Sequence, residues 1–257
     1  MAELPDLTVF AQILSRRFKG KKLETIEVSV AKKLNVPIKE LKEALEGKEL
    51  KAVERAGKTI QLIFSGPQVL GIHLMLRGEL QLIENGEAPR FQILGLHFKG
   101  GDAFAITDMQ KQATPTLNPE KNEMPDALEM DEKYFITLLA KKRSLIKTVL
   151  MDQHLMRGIG NSYADEILYH AGISPFSVSR SIPEKQALTL YKSISTVLKK
   201  AIKKIAAENG DELTGELRDF MDIHKAGLKE TAKGEKIKTE TIGGRKTYYT
   251  SAQKHFE

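Results

Sequence analysis

Apolar residues recur at helical spacing across 7–18 and stop at the basic run Ser15-Arg16-Arg17-Phe18-Lys19-Gly20, which predicts one amphipathic helix closed by a glycine. The period then changes. Segments 25–30, 59–64, 69–76, 80–84, 92–98 and 103–107 are short and rich in β-branched or aromatic residues. Ser65-Gly66-Pro67, Asn85-Gly86 and Lys99-Gly100-Gly101-Asp102 stand between them as turn sequences, so this part is expected to be an antiparallel sandwich or barrel. A short helix is expected within 35–47, with Leu41 and Leu45 facing inward. Residues 113–126 contain Pro115, Pro119 and Pro125 without periodicity and read as a linker at a domain boundary. Helical spacing returns in 131–140, 144–154, 162–171 and 183–208, the last opened by Ser181-Ile182-Pro183-Glu184. Beyond Lys225 the chain is rich in Lys, Gly and Thr, and β-prone 236–242 and 246–250 flank Gly243-Gly244 as a terminal hairpin. The expected fold class is therefore α+β multidomain: an N-terminal antiparallel β-sandwich with a leading helix (1–125), a helical domain (126–222) and a C-terminal β-hairpin (223–257).

With 257 residues the chain is long enough for one large core or two modest ones. A net charge of +6 suits a polyanionic partner without requiring one. Cysteine is absent, which removes disulfides, thiolate metal sites and cysteine nucleophiles together. No apolar run approaches the roughly 20 residues that span a bilayer, and MAELPD is unlike a secretory signal, so a soluble intracellular protein is expected. The basic run Lys192, Lys199, Lys200, Lys203 and Lys204 reads as a solvated helix face.

The stretch 151–175, MDQHLMRGIGNSYADEILYHAGISP, carries the clearest candidate chemistry. Gly158 and Gly160 permit a sharp turn, and Asn161 stands where a helix N-cap belongs. A helix start behind such a turn presents free N–H donors and a partial positive charge, a natural phosphate site. An ordinary helix hairpin with a glycine cap has the same pattern. Asp165 and Glu166 read as acids complementing the helix dipole, with no further role needed.

This segment resembles the helix-two-turn-helix signature of the formamidopyrimidine-DNA glycosylase and endonuclease VIII family, whose members excise oxidised bases. Other parts are similar to the family in the same order. Ala2-Glu3-Leu4-Pro5-Asp6 resembles its opening, Arg55-Ala56-Gly57-Lys58 its lysine-bearing hairpin, His73-Leu74-Met75-Leu76-Arg77-Gly78 a strand motif, and Gly244-Arg245-Lys246-Thr247 the tip of its C-terminal finger. Each motif is weak alone, and their shared order carries the resemblance.

The resemblance implies catalytic roles for Ala2, Glu3, Lys58 and Arg245. The α-amine of Ala2, exposed by removal of Met1, would attack the sugar C1′. An α-amine has a pKa of about 8, so part of it is an uncharged nucleophile at neutral pH. Glu3 would supply and shuttle protons, and Lys58 would hold a flanking phosphate and assist elimination. Phosphate contacts would come from Gly158, Gly160, Asn161, Lys147, Arg143 and Arg245, with His73 either a DNA contact or a core histidine.

Two departures stand out. Where relatives carry four zinc-binding cysteines, an ungapped reading puts Glu230, Lys233, Thr250 and Gln253, a set unable to form a tetrahedral zinc site. A zincless finger and no cofactor are expected, with Ile237, Ile242, Tyr248 and Tyr249 packing instead. Where relatives fill the gap left by an everted nucleotide with methionine, arginine and phenylalanine, the counterparts are Leu76, Gln110 and Gln112. The leading expectation is a monomeric base-excision glycosylase with abasic-site lyase activity, acting on double-stranded DNA that contains oxidised bases or abasic sites. A binding-only family member and an RNA-binding helix-hairpin protein are the alternatives.

Overall fold

A computed structural model describes residues 1–84, 86–213 and 216–257. It divides into two compact units, residues 1–122 with 205–216, and residues 123–204 with 217–257. The hairpin expected as a separate domain from 223 groups with the second unit. Asn85, half of one expected turn, lies outside the described residues.

In the first unit, helix α1 (Leu4–Phe18) starts earlier than the apolar periodicity predicts. Pro5 fits the first helical turn, where its missing N–H is no loss. A capping box fixes the start: the Glu3 N–H donates to the Asp6 carboxylate at 2.9 Å, and the Glu3 carboxylate accepts from the Asp6 N–H. Apolar residues lie almost all round α1, which makes it a core element. Strands β1 (Leu23–Val28), β5 (Glu79–Leu82), β6 (Gln92–Phe98) and β7 (Ala103–Thr107) form an antiparallel sheet in the order β1-β6-β7-β5. Phe18 at the end of α1 packs on Phe98 and Phe104 of that sheet, with ring centroids 4.9 and 5.0 Å away.

A second antiparallel sheet has the order β2 (Leu50–Ala56), β3 (Thr59–Phe64), β4 (Val69–His73) and β8 (Thr114–Leu117). Arg55 on β2 donates to Thr8 on α1 at 2.9 Å. The short helix α2 (Ile38–Leu45) buries Leu41 and Leu45, as its spacing predicts. Two strands escape the sequence pattern. Strand β2 is interrupted by Lys51, Glu54 and Arg55, and its strand form comes from pairing with β3. Strand β8 lies inside the expected linker; its Pro115 is tolerated because β8 is an edge strand.

In the second unit, Asp131 caps helix α3 (Glu132–Lys141) by accepting from Tyr134 N at 3.0 Å. Helix α4 (Ile146–Met151) is shorter than the predicted 144–154, because Asp152 and Gln153 turn back on the backbone. Helix α5 (Asn161–Ala171) ends on Gly172 in the left-handed conformation. Helix α6 (Glu184–Asn209) follows; its residues from Ile205 group with the first unit. Strands β9 (Ile237–Ile242) and β10 (Arg245–Thr250) pair through Gly243 and Gly244, both at positive φ, the two-residue turn whose twist suits a hairpin.

Candidate active site and nucleic-acid interface

In the first unit a cavity of about 390 Å³ is lined by Ala2, Phe10, Leu76, Phe91, Met109 and Glu216 among others. Ala2 is 8 % exposed and Glu3 1 % exposed. The ammonium of Met1 pairs with the Glu216 carboxylate, so with Met1 in place the nitrogen of Ala2 is a peptide amide. Glu3 serves as the N-cap of α1, and the capping box fixes its carboxylate on the Asp6 N–H, one residue on from that nitrogen in the chain.

Lys58 follows the buried Gly57 (φ +61) at the β2–β3 turn and is partly exposed. Thr59 pairs with His73, which puts Lys58 and His73 at the same end of the second sheet. Burial lowers the His73 pKa from its ordinary value, and the Lys58 charge lowers it further. The imidazole has a definite task, since Nδ1 accepts from the Met75 N–H at 3.1 Å and shapes the turn carrying Met75 and Leu76. The same turn is closed by Gly78 N donating to Leu74 O at 2.9 Å; a Cβ on Gly78 would lie 2.2 Å from that oxygen, so only glycine fits.

Leu76 is 53 % exposed on the cavity rim. Gln110 and Gln112 lie in the β7–β8 loop, which Asp108 folds by accepting from the N–H groups of Gln110, Gln112 and Ala113 at 2.7–2.9 Å. Gln110 is exposed and Gln112 is half-buried.

In the second unit the glycine turn is built as the sequence suggests, with one shift. Gly160 is the N-cap of α5, in extended conformation, and Asn161 is the first helical residue. Gly158 has φ +105, and its N–H donates to the Gln153 side chain at 2.9 Å. The Gln153 amide in turn donates to Met151 O and Ile159 O at 2.8 and 2.9 Å, so this one side chain fastens the whole turn. The sequence reading missed Gln153; a long amide five residues ahead of a positive-φ glycine is the signal for it. Asn161 Nδ2 donates to Lys246 O of β10 at 2.9 Å, and the Asn161 Oδ1 has no hydrogen-bond partner among the described residues. Arg245 is exposed at the hairpin tip. Arg143 is exposed too, and lies in the connection between α3 and α4 rather than on a helix.

Lys147 is a correction. Its side chain is 0 % exposed and its ammonium lies 2.7 Å from Asp165 Oδ1, so it does not face a phosphate. Nζ also donates to Thr247 Oγ1 at 2.8 Å. Asp165 Oδ2 accepts from Tyr248 N at 3.0 Å and from His224 Nδ1 at 2.7 Å; because an ionised carboxylate only accepts, Nδ1 carries the proton. Glu166 accepts from the N–H groups of Asp222, Ile223 and His224 at 2.7–3.0 Å. Asp165 and Glu166 therefore do more than complement a dipole. They lie beyond the first turn of α5, and they hold β10 and residues 222–224 onto it.

Residues 1–114 match the family described as Formamidopyrimidine-DNA glycosylase N-terminal domain, and residues 122–210 match Formamidopyrimidine-DNA glycosylase H2TH domain. A formamidopyrimidine-DNA glycosylase of Carboxydothermus hydrogenoformans is 32% identical over 237 residues, covering 86% of this chain and 82% of that protein. One from Streptococcus pneumoniae is 26% identical over 267 residues, 97% of each chain. The solved complex of Lactococcus lactis Fpg with DNA containing an abasic site superposes with a TM-score of 0.90 at 26% identity, covering 98% of this chain and 100% of that one. The chain belongs to the formamidopyrimidine-DNA glycosylase family.

The zinc that the resemblance implies does not fit the finger residues here. Gln253 is turned inward, its Oε1 accepting from Thr250 N and its Nε2 donating to Ile173 O, both at 2.8 Å. Thr250 Oγ1 donates to Glu235 at 3.2 Å. A threonine hydroxyl, a carboxamide already spent on the backbone and a lysine ammonium are not a zinc donor set. Among the described residues no group of three or more His, Cys, Asp or Glu could hold a metal. Tyr248 packs edge-on to His224 at 4.7 Å and Tyr249 edge-on to Phe176 at 5.1 Å, so aromatic packing joins the hairpin to its unit. Among the described residues, no helix is long and apolar enough to cross a membrane.

Proposed function

We propose that this chain excises oxidised bases from DNA and cleaves the resulting abasic site, with the α-amine of Ala2 as nucleophile once Met1 is removed. The observation that carries this reading is the cavity lined by Ala2, roomy enough for a nucleotide, with the buried, N-capping Glu3 next to Ala2 in the chain. Support also comes from the relatives, which are named formamidopyrimidine-DNA glycosylases, and from solved relatives bound to DNA with an abasic site or an oxidised pyrimidine.

The uncharged amine attacks C1′ as the glycosidic bond breaks, and the departing base takes a proton. Glu3 protonates the sugar ring oxygen as the ring opens, leaving a Schiff base between Ala2 and C1′. Loss of a C2′ proton then expels the 3′ phosphate, and water hydrolyses the imine and regenerates the amine. Lys58 holds a phosphate flanking the lesion and assists the elimination. The N-terminal end of α5, with Arg143 and Arg245, grips the strand through its phosphates, while the Gly158 N–H and the Asn161 amide, spent on Gln153 and Lys246, shape the turn before that helix, and His73 shapes the Met75–Leu76 turn of the first unit. No step uses a metal.

Borohydride trapping on DNA with an abasic site tests the reading. Protein whose mass shows Met1 removed is expected to form a covalent adduct at Ala2, and Ala2→Gln, which disfavours removal, is expected to form none. An unblocked protein that binds the DNA and gives no adduct would reduce the chain to a binding-only member.

A further inference from the structure

Four of the five large apolar side chains that stand exposed among the described residues gather in three neighbouring loops of the first unit: Met75 (38 %), Leu76 (53 %), Phe91 (46 %) and Met109 (56 %). Leu76, Phe91 and Met109 line the cavity that contains Ala2. Apolar groups concentrated this way mark a surface that another molecule covers.

The backbone beneath them is strained. Three of the four non-glycine residues at positive φ fall in these loops, Met75 (+57°), Phe91 (+61°) and Lys111 (+53°). Such conformations persist only where the surroundings impose them. Here a β-bulge between Gln92 and Leu94 interrupts the β6–β7 register next to Phe91, and Asp108 N donates to Phe91 O at 3.0 Å. Bulge and hydrogen bond together turn the phenyl ring outward, where the Arg90 guanidinium lies 5.1 Å from its centroid. A ring paired with a cation is a stacking surface for a nucleobase in a polyanionic strand.

Drawing one nucleotide into the cavity beside Ala2 leaves a hole in the base stack, with apolar faces on both sides. Gln110 and Gln112 carry no ring that could fill that hole. We propose that Phe91, backed by Arg90, enters the duplex and stacks on the bases left unstacked by eversion, with Leu76 and Met109 beside it. This inference rests on the proposed function, since it needs a lesion nucleotide in the cavity.

The chain has no tryptophan, so Phe91→Trp installs a single indole at the position in question. The variant is titrated with a duplex carrying a tetrahydrofuran abasic-site analogue and with the matched intact duplex, binding of each being followed by mobility shift. Emission is expected to fall by about half or more on the analogue duplex and to change little on the intact one. Phe91→Ala and Phe91→Leu are both expected to lower kcat/KM for excision of an oxidised purine from duplex DNA by about tenfold, because leucine keeps bulk and loses the ring. Bound analogue duplex without quenching, or excision by Phe91→Leu at the unsubstituted rate, overturns the assignment. Failure of the unsubstituted protein to form a borohydride adduct would instead strike the catalytic reading, while the quenching still decides where residue 91 goes.

Discussion

Asp165 and Lys147 form an ion pair at 2.7 Å with neither side chain exposed, and this pair joins α4, α5 and β10. A buried charge keeps its place only while its partner remains, because desolvation of a lone ion is not offset in the interior. Lys147→Met and Asp165→Asn are each expected to lose about 3–5 kcal/mol of unfolding free energy, read by chemical denaturation. The double variant is expected to lose less than the sum, because each single change already strands the other charge. Additive losses would mean that the two groups are not coupled.

Burial holds the Glu166 carboxyl above the usual carboxylate range, although the N–H groups of His224, Asp222 and Ile223 favour its charged form. A carboxyl whose folded pKa is raised binds more protons in the native state than in the unfolded chain across the window between the two values. Stability from this group is therefore full below the unfolded pKa near 4.5 and declines as pH rises through the folded value. The difference in unfolding free energy between the native protein and Glu166→Gln is expected to move against the native protein as pH rises across that window. Denaturant titrations at a series of pH values give the sign directly, and a difference moving the opposite way refutes the burial argument.

Much of this architecture is legible in the chain, and the exceptions have physical causes. The spans of β3, β6 and β7 follow directly from alternating or continuous apolar residues, and the leading helix from its period. Strand β2 is hidden by Lys51, Glu54 and Arg55, and β8 by Pro115 at a sheet edge, since pairing rather than local preference makes both. Gly158, Gly160 and Asn161 point to the turn. Their sequence cannot show that Lys147 is spent on Asp165, a partner 18 positions away whose acidity reads equally well as a dipole complement. Phe91 is hidden for the opposite reason: a lone aromatic at a strand start reads as core, and only its positive φ and the adjoining bulge turn it outward.

His73 acts through an unprotonated Nδ1, because that atom accepts from the Met75 N–H. With its pKa lowered by burial and then by Lys58, the folded state disfavours the imidazolium. The unfolded chain takes up a proton near the ordinary value of 6.5 before the folded one does, so this contribution to stability is full above that pH and is lost as pH falls towards the folded pKa. Proton-detected NMR is expected to show His73 titrating below 6.5, and Lys58→Met is expected to raise it partway. A His73 that titrates at or above 6.5 would exclude the Met75 bond as the neutral ring's task.

The finger supplies the last test, since its strands are held by hydrogen bonds and rings where the resemblance implies a metal. Gln253 satisfies Thr250 N and Ile173 O at once, and all three residues are buried. Truncation strands a donor and an acceptor together, and each unsatisfied buried group costs about 1–3 kcal/mol. Gln253→Ala is expected to lower the melting temperature and to weaken binding to duplex DNA carrying an abasic-site analogue, because Arg245 sits at the far end of the same hairpin. Gln253→Glu keeps the acceptor and loses the donor, so an intermediate effect is expected. A strong chelator is expected to leave melting and binding of the unsubstituted protein unchanged, with elemental analysis finding no stoichiometric zinc. Loss of binding on chelation, restored by zinc, would show that the finger finds a donor set other than these side chains.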